Sequence, residues 1–180
     1  MNLNNGEKMI LSMLQKKPGM GKTAVMKIIF MLQQVKGIDL GYEFSIYTYG
    51  PYTSEVLEDI DELISRGLLT STVYHYKDYI GYQLNITSEG VKGIDHSSEN
   101  LNGLEDVLQF TNNKSAKELE LYSTIIYISD LFVKNSWEGG KPSIVDKVHE
   151  IKPHFSKEDI LKAYECLQEK KYISTISTMT

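Results

Sequence analysis

FSIYTYGPYTSEVLEDIDELISRGLLTSTVYHYKDYIGYQLNITSEG, residues 44–90, carries the densest structural signals in the chain. Gly50-Pro51 marks a turn, because proline fixes φ and pushes the residue before it away from helix. Thr53 or Ser54 caps the helix that follows, and Glu55 sits in its first turn, where the helix dipole favours negative charge. Val56, Leu57, Ile60, Leu63 and Ile64 fall on one apolar face, and Gly67 supplies a left-handed stop. Leu69, Ser71 and Val73 then share a strand face. After Tyr76-Lys77-Asp78-Tyr79, Ile80, Tyr82, Leu84 and Ile86 alternate with Gly81, Gln83 and Asn85. The stretch therefore reads as a short strand, a turn, a helix at 53–66 and a two-stranded wing at 69–75 and 80–86.

Upstream, Met9, Ile10, Met13 and Leu14 stripe a helix at 6–16, and Lys17-Pro18-Gly19 ends it. Val25, Ile28, Ile29 and Leu32 stripe a second helix at 22–35. The order over residues 1–95 is that of a winged helix-turn-helix domain. Residues 96–114 are polar, with one short helical segment near Leu104, Val107 and Leu108, and read as a connector. Residues 115–180 give helices at 117–134, 143–151 and 156–170, then a β-rich tail from Tyr172 to Ser177. The class is α+β, mainly helical.

A weak internal repeat has an offset of 104 residues. IDELISRGLLTS at 60–71 aligns with YECLQEKKYIST at 164–175, and Val56-Leu57 falls on Ile160-Leu161. Two readings stay open for the C-terminal part: a second, degenerate winged helix, or helices completing the first core.

The 180 residues suffice for one domain or two small ones, and 41% hydrophobic content supports a real core. The formal charge of −5 provides no global basic field for nucleic acid. One cysteine, Cys166, excludes a disulfide framework and fits a reducing cytoplasm. The N-terminus lacks a signal peptide's apolar core, and no apolar run reaches membrane length.

Gly19-Met20-Gly21-Lys22-Thr23 looks like a phosphate loop. The full pattern needs a glycine where Lys16 stands, and a helix rather than a strand precedes it. A turn between helices is the plainer reading. His149 and His154 lie five apart around Pro153, outside helical metal-pair spacing. No nucleophile turn is legible. The expectation is a protein without catalytic residues, metal or cofactor.

Charge is segregated. From position 8 to 38 the only charged residues are lysines, whereas the helix beginning near 53 holds Glu55, Glu58, Asp59, Asp61 and Glu62 before its first base. An acidic third helix would be repelled by phosphates, so contacts to double-stranded DNA are expected from Lys17, Lys22, Lys27 and Lys77. Such binding would be weak and mostly non-specific. Eight of the twelve tyrosines lie between 42 and 82. Ordinary cross-strand pairing accounts for them, as does an interface. The interface reading takes Tyr49, Tyr52, Glu55, Glu58, Asp59 and Tyr76 as contacts to a protein partner or a second copy.

The run Lys27-Ile28-Ile29-Phe30-Met31-Leu32-Gln33, then Phe44, Tyr47, Tyr49-Gly50-Pro51-Tyr52, Leu63 and Gly67-Leu68-Leu69 resembles the YwgA-like proteins, uncharacterised prokaryotic proteins regarded as winged-helix-like. The Tyr-Gly-Pro-Tyr turn is similar, more distantly, to the Panacea antitoxin domain. The resemblance implies a winged-helix fold without catalytic residues, and with Panacea a role in toxin neutralisation. The two functional expectations are a DNA-binding transcriptional regulator and an antitoxin-like or scaffold module that binds a protein.

Overall fold

Asn4 starts the first helix. Its side chain accepts from the Glu7 N–H at 2.7 Å while Glu7 accepts from the Asn4 N–H at 2.8 Å, a reciprocal capping box. The computed structural model describes residues 2–75, 80–92, 94 and 101–174. In order these give α1 (Asn5–Lys16), α2 (Lys22–Lys36), β1 (Ser45–Tyr47), β2 (Gly50–Tyr52), α3 (Ser54–Ser65), β3 (Leu69–His75) and β4 (Ile80–Ile86). Then follow α4 (Ser88–Lys92), α5 (Leu101–Thr111), α6 (Ala116–Lys134), α7 (Gly140–Ile151) and α8 (Lys157–Glu169). The class is α+β and mainly helical, with two separate two-stranded sheets among the described residues. Two compact units divide the chain: Met1–Ser45 with Tyr52–Asn113, and Ile46–Pro51 with Lys114–Thr180.

In the N-terminal unit, α2 is buried from Val25 through Leu32, wrapped by its neighbours rather than laid on one of them. Ile10, Met13 and Leu14 of α1, with Val56, Ile60 and Leu63 of α3, complete this core. Stretch 96–114, expected as a connector, contributes α5 to this unit. Leu104 and Val107 are fully buried, and α5 packs on α2.

β3 and β4 pair antiparallel, with Leu69 opposite Ile86, Ser71 opposite Leu84, Val73 opposite Tyr82 and His75 opposite Ile80. These pairs lie on one face. The turn between α1 and α2 joins that ladder. Gly19 N–H donates to Leu84 O, and Leu84 N–H donates to Met20 O, both at 2.9 Å. The glycine-rich segment that looks like a phosphate loop thus uses its Gly19 amide to hold β4.

In the C-terminal unit, α6 begins with a Ser115–Glu118 capping box and packs against α7 and α8. The 104-residue offset reappears in register. Val56, Ile60 and Leu63 of α3 are fully buried, as are Ile160, Tyr164 and Leu167 of α8 to within 1%. Leu68 N–H donates to Leu63 O at 2.9 Å, and Tyr172 N–H to Leu167 O at 2.8 Å. Gly67 takes φ +69° and its counterpart Lys171 φ +59°. The closing turn alone is not diagnostic, since Trp137 N–H to Phe132 O ends α6 in the same way. The shared burial register is the stronger correspondence.

The tail departs from expectation. Residues 172–174 are not a strand; Tyr172 and Ile173 are instead buried beyond the end of α8. Residues 175–177 of the expected strand lie outside the described residues.

Candidate functional site

Gly50 has φ +87°, a backbone region that favours glycine. A Cβ there would stand 2.9 Å from Thr124 Oγ1 and 3.4 Å from Glu120 O, both on α6. The hairpin turn therefore lies directly on α6, and glycine is required for both reasons. Lys152, which caps the end of α7, is 3% exposed. Its ammonium donates to Tyr47 O at 3.1 Å and to Thr48 O, and stands 3.0 Å from Glu120 Oε1. Burying a charge requires such partners, and here a cation ties the carbonyls of residues 47 and 48 to a buried carboxylate.

Beside this pair opens a cavity of about 610 Å³, walled by Ile46, Tyr47, Tyr49 and Ile151 and reached by Glu120 and His154. Glu120 Oε1 lies 3.5 Å from His154 Nε2 and has ion-pair proximity to Lys152, but it accepts no hydrogen bond of good geometry. His149 has a different duty: its Nδ1 meets Phe155 O at 2.8 Å. None of these polar groups was singled out from sequence as functional. The Gly-Pro-aromatic turn signalled the hairpin, but Glu120 and Lys152 are far from it in the chain.

The lysines expected at a phosphate backbone are distributed as follows. Lys27 is 2% exposed inside α2, so its ammonium is not offered at the surface. Lys22 pairs with Asp61 at 2.6 Å; outside the expected set, Lys16 pairs with Glu105 at 2.6 Å and Lys36 with Asp106 at 2.6 Å. The hydrogen bond from Lys16 holds the Glu105 carboxyl below its ordinary value. Lys17 donates to Asn112 O at 3.1 Å. Lys77 lies outside the described residues.

The expected partner contacts divide between the units. Tyr49 belongs to the C-terminal unit and is exposed, whereas Tyr52, Glu55, Glu58 and Asp59 belong to the N-terminal unit. Asp59 accepts from Tyr42 Oη at 2.6 Å and from Asn4 Nδ2 at 3.3 Å. Burial, then this bond, pushes the Tyr42 phenol above its ordinary value. Glu55 accepts from Glu43 N–H and Thr53 Oγ1, both at 3.1 Å. Glu58 is exposed. Tyr76 lies outside the described residues.

On the β3–β4 hairpin, the face that buries Leu69 and Leu84 continues outward as Val73, Ile80 and Tyr82, which are 48%, 56% and 48% exposed. Its sequence alternation is that of a half-buried strand, so exposure of the outer half had no signal in the residues themselves. Among the described residues no helix is long and apolar enough to cross a membrane.

These features define an α+β, mainly helical chain with an apolar outer half to the β3–β4 hairpin and an acidic third helix. The chain is similar to the uncharacterised protein YwgA of Bacillus subtilis (strain 168), 26% identical over 111 residues, or 62% of this chain and 66% of that protein. That likeness supports the YwgA-like resemblance read from residues 22–69. No protein-family model matches the chain.

Proposed function

We propose that this chain is a non-enzymatic winged-helix protein whose N-terminal unit docks a basic, partly apolar protein segment. The winged-helix reading rests on the order α1, the Met20 bridge, α2, α3, β3 and β4. In it Met20 is a one-residue first strand pairing with the last. The hairpin β1–β2 is then an insertion between the second and third helices. The matched burial registers of α3 and α8 support a second, wingless copy at 115–180.

The observation that carries the docking role is the exposed apolar strip Val73, Ile80 and Tyr82 on the wing. Continuous apolar surface of this kind marks interaction sites. α3 packs on β3, and within Ser54–Ser65 it holds five carboxylates and no base. Charge complementarity selects a basic partner. The Panacea-like turn is consistent with an antitoxin-like role of this kind.

The test is fluorescence anisotropy with a labelled peptide of alternating lysine and leucine. The wild type should bind. Val73→Ser with Tyr82→Ser should weaken binding at every salt concentration, and Glu58→Gln with Glu62→Gln should weaken it mainly at low salt. Binding that is indifferent to both pairs overturns the proposal.

DNA binding in transcriptional control is the second reading. It draws on Lys17, which meets a carbonyl rather than an acid and keeps a whole charge at the α1–α2 turn. The paired lysines weaken it, because each brings a carboxylate of opposite sign to the same surface.

A further inference from the structure

We propose that the partner segment binds as an added β-strand, pairing with the outer edge of β3 and carrying alternating basic and apolar side chains. The inference rests on the docking role of this hairpin and says how the segment is held. β3 has β4 on one side and, among the described residues, no strand on the other. The direction of its outer groups follows from Leu84. Leu84 turns its N–H and C=O to Met20 and Gly19, away from β3. It stands opposite Ser71, and in such a pair both residues point their backbone groups away from each other. By alternation Val73 does the same. The outer edge therefore presents the N–H and C=O of Ser71 and Val73, both of them exposed residues.

Edges of this kind are normally guarded by lysine, by proline or by a bulge. β3 has none of these. Leu69 to His75 contains no proline, acid, lysine or arginine, and its pairing with Ile86 to Ile80 runs one for one without interruption. Thr70, Thr72, Val73 and Tyr74 are of types that favour strands. An unguarded edge is a template for an incoming extended chain.

Charge chooses the occupant. α1 and α2 pack against β4, whereas α3 packs against β3, so the open edge lies on the side of the acidic helix. Glu58 and Glu62, one turn apart on α3, suit lysine or arginine in the added strand. Every second side chain of that strand would extend the apolar strip of Val73, Ile80 and Tyr82. A second copy of this chain fits less well, since its own α3 would bring five more carboxylates to the same edge.

The test uses the full chain and the labelled lysine–leucine peptide. Amide hydrogen exchange, followed by NMR, should slow at Ser71 and Val73 by about tenfold or more when the peptide binds, as a new hydrogen bond predicts. Ser71→Pro keeps the apolar strip and the acids but removes an outer N–H. Its ladder to β4 stays intact, because proline is tolerated where an edge amide faces solvent. It should weaken the peptide by about tenfold. Should that variant not fold, the exchange measurement on the wild type decides. Binding with unchanged exchange at Ser71 and Val73, or at full strength in Ser71→Pro, overturns strand addition and leaves docking on the apolar face standing. Absence of peptide binding overturns both. Ser71 and Val73 amides already protected in a dimer of the chain alone assign the edge to a second copy and overturn the proposal.

Discussion

At the scale of single residues, the hairpin turn at Gly50 is constrained both by its backbone and by its closeness to α6. Gly50→Ala must hold a non-glycine residue at φ +87° with its Cβ 2.9 Å from Thr124 Oγ1. It should cost on the order of 1–3 kcal/mol in urea denaturation, whereas Pro51→Ala should cost about 1 kcal/mol or less. Lys152→Met strands a buried carboxylate and should cost roughly 3–5 kcal/mol, with part recovered when Glu120→Gln is added. Phenols give the alkaline response. Burial pushes Tyr42, Tyr122 and Tyr164 upward, Tyr122 to about 12 with help from neighbouring Cys166. The folded chain thus keeps these protons where the unfolded chain, titrating near 10, releases them. Their contribution is whole below about pH 10 and is lost as pH rises toward the folded values, so the urea midpoint should fall above about pH 10. Tyr42→Phe should reduce that fall.

At the scale of elements, α3 and α8 end in the same turn with different residues. Gly67→Ala should cost about 1 kcal/mol, because φ +69° suits glycine. Lys171→Gly, at φ +59°, should leave stability nearly unchanged or raise it slightly, as thermal unfolding would show. The helices and the β3–β4 hairpin were legible because their signals are local: apolar spacing, a capping hydroxyl, Gly67 and strict alternation from Ile80 to Ile86. What covers each face was not. Leu84 is buried and Tyr82 exposed on one strand face, although the α1–α2 turn hydrogen-bonds to Leu84 and comes close to the Tyr82 carbonyl. Lys27 reads as a surface lysine, yet α2 is enclosed all round. Tyr172 and Ile173 have strand-like side chains, but burial beyond α8 takes them instead. The Glu120–Lys152 pair was illegible for another reason: neither residue has a local partner, and only the tertiary fold brings them to Thr48.

At the scale of the whole molecule, a net charge of −5 is combined with the pairing of Lys22, and of neighbouring Lys16 and Lys36, to carboxylates. On the proposed reading the acids of α3 add to the repulsion of phosphate, and the exposed apolar half of the β3–β4 hairpin docks protein. The most direct test of this account is anisotropy of a labelled mixed-sequence duplex titrated with the full chain across a range of salt concentrations. The account expects no saturable binding to the duplex even at low salt, under conditions where the lysine–leucine peptide binds. Duplex binding whose log affinity falls linearly with log salt, with a slope that flattens by about 2 when Lys17→Gln and Lys22→Gln are combined, would contradict it and assign the α1–α2 turn to DNA.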